Sequence, residues 1–203
     1  MPVILTKDHR YILEGVQYPS VTQILGSLGI TYDYGDRAAV AAAYGTAVHS
    51  MVLLDIMDVL DEENLDPNLK NPLAGWRKFK KEYPEFRPYR IPKTNELLCE
   101  VPMVSKFGFA GTPDIFATMG KEYHLPDIKT RRAQPYDGLQ TAAYEQLIRE
   151  RTGITAPIKR FVLELYYDSE DYRYVPMKEK IDKTAWMSCF NVYRWKSKFG
   201  KVK

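Results

Sequence analysis

Asp114, Asp127 and Lys129 have the types and the spacing to hold a divalent cation beside a fixed ammonium. They flank Gly120-Lys121. A two-residue turn there, which glycine at its first position favours, pairs Met119 with Glu122 and fixes the register. Counting outward along the hairpin, Asp114 falls opposite Asp127. Facing residues of an antiparallel pair share a face with Cβ atoms about 4.5–5.5 Å apart, where like charges repel, so the two carboxylates call for a proton or a cation. Alternation puts Lys129 on that same face, beside Thr112 across the ladder, and sends Ile115 and Ile128 to the other. Two hard oxygen donors and an ammonium suit Mg2+, which is usually held by one or two carboxylates plus substrate phosphate. In such a site the metal polarises a phosphoryl oxygen and activates water, while the lysine orients that water or offsets developing charge. The same residues also fit a solvated hairpin in which Lys129 bridges two aspartates. A one-residue slip would move one carboxylate to the opposite face.

The elements that must position these groups follow from periodicity and punctuation. Residues 3–6 and 11–13 read as short strands, and 21–28 as a helix with Ser20 as N-cap and Gly29 as stop. An alanine-rich helical pattern runs from Asp36 to about Leu60, with Gly45 inside it marking a helix break or a close backbone contact. Residues 97–106, 109–118 and 123–129 read as three strands, and 134–151 as a helix ending before Gly153. Two more strands at 159–167 and 172–175 precede a final helix at 182–199. Adjacent strands among helices give an α/β (α+β) class, with a central mixed sheet flanked by helices. No linker or repeat divides the chain, which reads as one domain over 1–203. Its N-terminal strands and helices occupy 1–60, the hairpin and its helix 97–151, and the C-terminal strands and helix 158–199.

Pro113-Asp114, then twelve residues, then Asp127-Ile128-Lys129 resembles the PD-(D/E)XK nuclease signature in the form used by RecB-like and phage-type exonucleases. Further segments resemble that group in the same order. Gly45-Thr46-Ala47-Val48-His49 is similar to its Gly-x-x-x-His motif, and Gln140-Thr141-Ala142-Ala143-Tyr144 to its Gln-x-x-x-Tyr motif. Tyr18-Pro19-Ser20-Val21-Thr22 resembles a recurrent opening of phage members and of mitochondrial genome maintenance exonucleases. The resemblance runs from about Tyr18 to the final helix. It implies a restriction-endonuclease-like core, with metal ligation by His49, Asp114, Asp127 and the backbone carbonyl of Ile128. It also implies Lys129 as the catalytic lysine and Glu100 as an acidic residue near the metal. Gln140 and Tyr144 would support the site or contact DNA, and Thr112 and Thr130 match the sequence around the two carboxylates. The activity implied is Mg2+-dependent hydrolysis of DNA phosphodiesters, with Mn2+ able to substitute. An exonuclease in phage or bacterial recombination, replication or repair is expected, with DNA as partner and a recombination or single-strand-binding protein beside it. A structure-specific endonuclease and a non-catalytic DNA-end-binding protein are the alternatives. The iron–sulfur branch of the group needs four cysteines, so no such cluster is expected.

Plainer readings accompany these. His49 is also a helix histidine held by a neighbour, and Gln140 and Tyr144 are an i, i+4 pair on one half-buried helix face. Trp186, Phe190 and Tyr193 at helical spacing read as core, and Cys99 and Cys189 as small buried hydrophobes.

The chain has 203 residues, 45% apolar and 27% charged, with a formal net charge of +3. That suits a globular fold and disfavours binding through bulk charge. The small total conceals opposed patches. Residues 55–66 are acidic, whereas Arg77, Lys78, Lys80, Lys81, Arg87 and Arg90 lie in a basic stretch with Trp76, Phe79, Tyr83, Phe86 and Tyr89. That stretch reads as a solvated surface or as a DNA-backbone contact with aromatics for unpaired bases. A second basic cluster comprises Arg194, Lys196, Lys198, Lys201 and Lys203. Two cysteines, no basic-apolar leader and no run of about 20 apolar residues point to a cytoplasmic protein without a membrane partner.

Overall fold

A computed structural model describes residues 2–31, 35 and 38–200; the expected helix start at Asp36 and the tail residues Lys201 and Lys203 lie outside them. In chain order, β1 (Ile4–Leu5), β2 (Tyr11–Leu13) and β3 (Val16–Tyr18) form a small antiparallel sheet, followed by α1 (Val21–Ser27) and α2 (Ala38–Ile56). A 3-10 turn at Pro67–Leu69 leads into α3 (Lys70–Glu82) and β4 (Phe86–Pro88). β5 (Met103–Val104) pairs with β6 (Ala110–Gly111), and β7 (Ala117–Met119) turns into β8 (Glu122–Lys129). Then come α4 (Pro135–Thr152), β9 (Ile158–Leu165), β10 (Tyr172–Pro176) and α5 (Ile181–Phe199).

The central sheet has the order β10-β9-β8-β7-β4, with β8 and β9 parallel and every other pair antiparallel. Helices cover both faces, giving a mixed α/β architecture. Leu125 and Ile158 join a core with Phe109, Leu147, Trp186 and Phe190 beneath α1, α4 and α5. Ile128, Phe161 and Leu163 point the other way, into a core with Val48, Met51, Trp76 and Phe79 of α2 and α3. Strands buried on both faces are what a parallel β8–β9 pair requires.

The hairpin register is the expected one over Ala117–Met119, but the ladder stops there, so Asp114 is not paired across from Asp127 nor Thr112 across from Lys129. Met119 faces Glu122 across Gly120-Lys121, and Gly120 sits at φ +61°, a conformation glycine adopts without a Cβ penalty. The α1 cap is also as expected: Ser20 Oγ accepts the Gln23 N–H and Gln23 Oε1 accepts the Ser20 N–H, both at 3.0 Å.

Four expectations need correction. First, the strands at 97–106 and 109–118 are fragments, joined to their neighbours by single bridges such as Cys99 to Ile115. Pro102 and Pro113 have no N–H to give a ladder, and β7 starts only at Ala117. Strand β3 was not anticipated. Second, Gly45 neither breaks α2 nor meets a neighbour, because a Cβ there would find open space. Third, 39–56 of α2 is long and apolar enough to cross a membrane by length and composition, although it carries Asp55 and His49. Alanines 39 and 41–43 are exposed, while Val48, Met51 and Val52 are in the core. Fourth, Trp76, Phe79 and Phe86 are buried core residues and present no stacking surface.

Beyond Ala117 the β7 backbone leaves β8: the Phe116 N–H bonds the Leu98 carbonyl at 2.8 Å, and the Glu100 N–H bonds the Asp114 carbonyl at 2.9 Å. One edge of β8 is therefore open along Pro126 and Ile128. Pro126 loses no ladder bond by sitting there, since it has no N–H to place.

Candidate metal-centred site

The open edge of β8 is where the sequence-predicted residues meet. Asp114, on the departing strand, turns its carboxylate back so that Oδ2 accepts the Ile128 N–H at 2.6 Å. His49, on α2, donates from Nε2 to the Ile128 carbonyl at 3.2 Å and from Nδ1 to Glu100 Oε1 at 2.9 Å, with Asp114 Oδ1 3.5 Å from Nδ1. Two side chains thus satisfy the backbone groups that β7 has left. Glu100 reaches this place from a left-handed backbone, φ +53°, a costly conformation for a side-chain residue. Its N–H is held by the carbonyls of Pro113 and Asp114.

His49, Glu100 and Asp114 each offer a ligand atom, and these atoms lie within 4.8 Å of one another, so this group could hold a metal ion. The donors fit one: two carboxylates, an imidazole and the neighbouring Ile128 carbonyl are the hard oxygen and nitrogen ligands that divalent cations take. Burial works against a charge on His49, yet Asp114 and Glu100 outweigh it and raise the imidazole to about 9. Both ring nitrogens then donate, and ligation would displace a proton.

Asp127 stands outside that tight group. It is buried, 1% exposed, and Lys129 Nζ lies 2.7 Å from Oδ2 without a directed hydrogen bond to either oxygen. Burial pushes this carboxyl up to about 7, the Lys129 charge opposing and Asp114 adding to the rise. Burial also pushes Asp114 up, against the His49 charge. For Lys129 burial acts downward, but Asp127 and Asp114 overcome it and hold the ammonium charged. Lys129 Nζ donates to Gln140 Oε1 at 3.3 Å, and Gln140 Nε2 donates to the Tyr144 hydroxyl at 2.9 Å. The i, i+4 pair on α4 therefore orients one amide toward the lysine. Gly111 lets Tyr144 approach, since a Cβ there would lie 2.8 Å from its ring.

Thr112 is engaged by Tyr11, hydroxyl to hydroxyl at 2.9 Å. Tyr11 feels the Glu100 and Asp114 charges, so the small N-terminal sheet borders the site. Nothing in its three-residue strand marks it in sequence. Buried Asp137 adds a charge felt by Asp127 and Lys129 and is gripped by both Arg131 nitrogens at 2.7 and 2.9 Å. Its legible signal is the N3 position of the α4 capping box. Thr130 lies instead on the rim of a neighbouring cleft.

The basic stretch on α3 and β4 is mostly occupied. Asp55 accepts from Arg77 at 2.9 Å and Lys80 at 2.5 Å, Glu62 takes the other side of Arg77, and Lys78 meets Asp171 at 3.1 Å. Arg87 and Arg90 bond backbone carbonyls, and Lys81 is exposed.

No family model and no curated protein matches the chain. Among solved structures it is similar to the crystal structure of a "putative exonuclease" from Eubacterium rectale. Identity is 15% and the TM-score 0.45, over 94% of this chain and 79% of that one. A likeness at that level carries no argument about this chain.

Proposed function

We propose that the protein is a metal-dependent deoxyribonuclease of the PD-(D/E)XK type, most similar in its motifs to RecB-like and phage-type exonucleases. The observation that carries this reading is the convergence at one strand edge of His49, Glu100 and Asp114, with Asp127, Lys129, Gln140 and Tyr144 alongside. Motif residues dispersed from 49 to 144 would have no reason to meet in a solvated hairpin.

His49, Glu100, Asp114 and the Ile128 carbonyl would hold the ion, and Asp127 would join them once Lys129 shifts toward substrate. A bound Mg2+, or Mn2+ in its place, supplies Lewis acidity toward the phosphoryl oxygen and lowers the pKa of a bound water. Lys129 stays charged in its buried setting and presents its ammonium to the negative charge that develops on the scissile phosphate. Gln140 and Tyr144 hold that ammonium in place, which limits the reorganisation needed during reaction.

End-labelled linear DNA incubated with Mg2+ tests the proposal. Wild type should degrade it, while Asp114→Ala and Lys129→Ala should each lose at least about a hundredfold in rate. Equal degradation by wild type and both variants would sink it. Covalently closed circular DNA separates the modes, because an exonuclease leaves it intact and a structure-specific endonuclease does not.

A further inference from the structure

Beside the site, the loop that follows β8 and the turn between β9 and β10 diverge to leave a cleft of about 650 Å³. Thr130 on its rim directly follows Lys129, so the cleft begins one residue from the reacting end of β8. Arg132 comes from one wall and Arg173, on β10, from the other, and both charges bear on the Tyr166 hydroxyl between them. Arg132 makes no ion pair among the described residues. Arg173, 59% exposed, reaches only the buried Glu164, at 3.8 Å. Glu164 is otherwise occupied by the Ala133 N–H at 2.7 Å and the Tyr166 hydroxyl.

Of the acidic residues on the rim, Asp171 is taken by Lys78 at 3.1 Å and by the Tyr172 N–H, and Asp168 remains beside the arginines. Tyr167 stands 66% exposed, with its backbone carbonyl anchored by Asn71 Nδ2 at 2.8 Å. Two arginines with free hydrogen-bond donors next to an open aromatic ring match a phosphate followed by a base. The ring offers a face on which successive bases of a single strand can stack. The volume is in the range of sites that take one small-molecule-sized unit.

We infer that this cleft holds the unpaired end of a single nucleic-acid strand, with phosphates on Arg132 and Arg173 and a base on Tyr167. This rests on the function proposed above and adds that the strand entering or leaving the site does so single-stranded, over the C-terminal ends of β8 and β9.

Binding of fluorescein-labelled octathymidylate by the full chain in EDTA, followed by anisotropy, tests it without catalysis. Wild type should saturate, and Arg132→Ala and Tyr167→Ala should each weaken binding about tenfold. Tyr167→Phe, which keeps the ring, should bind as wild type, and a blunt hairpin duplex should compete poorly. No saturable binding by wild type, unchanged affinity in both alanine variants, or equal competition by the duplex would overturn the inference. The two proposals fail separately. Cleavage of DNA with unchanged binding in the variants removes the cleft and keeps the nuclease. Cleft-dependent binding without metal-dependent cleavage does the reverse.

Discussion

Gln140 shows how much of this site depends on one amide. Its oxygen faces Lys129 because its nitrogen is committed to Tyr144. Gln140→Leu leaves the ammonium with Asp127 as its remaining close partner and free to collapse onto it. The expected result is a ten- to hundredfold lower kcat, about the value of one hydrogen bond to a charged group, with little change in melting temperature. Steady-state kinetics and a thermal melt on the same samples check both parts. His124 makes a different prediction. It lies on the face opposite Asp127, packed against Phe161, with neither ring nitrogen hydrogen-bonded and Glu122 3.7 Å away. Burial holds its pKa below the ordinary 6.5, against the pull of Glu122. Below that pH the unfolded chain binds the proton that the folded chain refuses. The stability this group contributes is therefore full above about pH 6.5 and is lost as pH falls toward the depressed folded value. Asp127 and His49, whose folded pKa values are raised, act in the opposite sense over the same range, so the comparison is between proteins: urea unfolding at pH 7.5 and 5 should show His124→Phe gaining stability relative to wild type as pH falls.

Two glycines on the elements that carry the site should respond in opposite ways to the same substitution. Gly45 lies mid-helix in open space, so Gly45→Ala should stabilise the protein by about 0.5–1 kcal/mol. Gly111 faces Tyr144 and Leu147, where a Cβ would sit 2.8 and 3.1 Å from side-chain carbons. Gly111→Ala should cost about 1–3 kcal/mol by pushing α4 away, and should lower activity as well. Chemical denaturation of the pair measures the contrast. The same elements show what was legible in the sequence. Period-two and period-3.6 patterns placed β8, α4, β9 and α5 within a residue or two, because both faces or one stripe of each are apolar. The hairpin register followed from Gly120 alone. The segments around Glu100 and Thr112 were not legible as non-strands. Their apolar residues fill a core without a ladder, and their route is set by tertiary bonds such as Phe116 to Leu98. Tyr11 was invisible for a related reason: its role comes from a neighbour 101 residues away.

Across the molecule, the charge pattern that suggests an outward-facing basic surface is largely spent internally. Asp55, its side chain 6% exposed, gathers Trp76 Nε1 at 2.7 Å together with Arg77 and Lys80, and so ties α2 to α3. Asp55→Ala should therefore cost about 1–3 kcal/mol, chiefly because it strands a buried indole N–H, while Arg77 keeps Glu62. Urea titration reads this, and a variant within 0.5 kcal/mol of wild type would show that the clasp contributes nothing. A last consequence follows from the edge of β8 that β7 abandons. An open strand edge is a template on which another copy of the chain can add its own strand. Here Asp114 and His49 occupy the N–H and C=O of Ile128, and Pro126 offers no donor. Pro126 and Ile128 are themselves buried, so the residues proposed to hold the metal close an edge that only local opening of the segment carrying Asp114 would expose. Asp114→Ala should not only silence the site but also lower solubility, with oligomers appearing in size-exclusion chromatography where Lys129→Ala stays at the size of wild type.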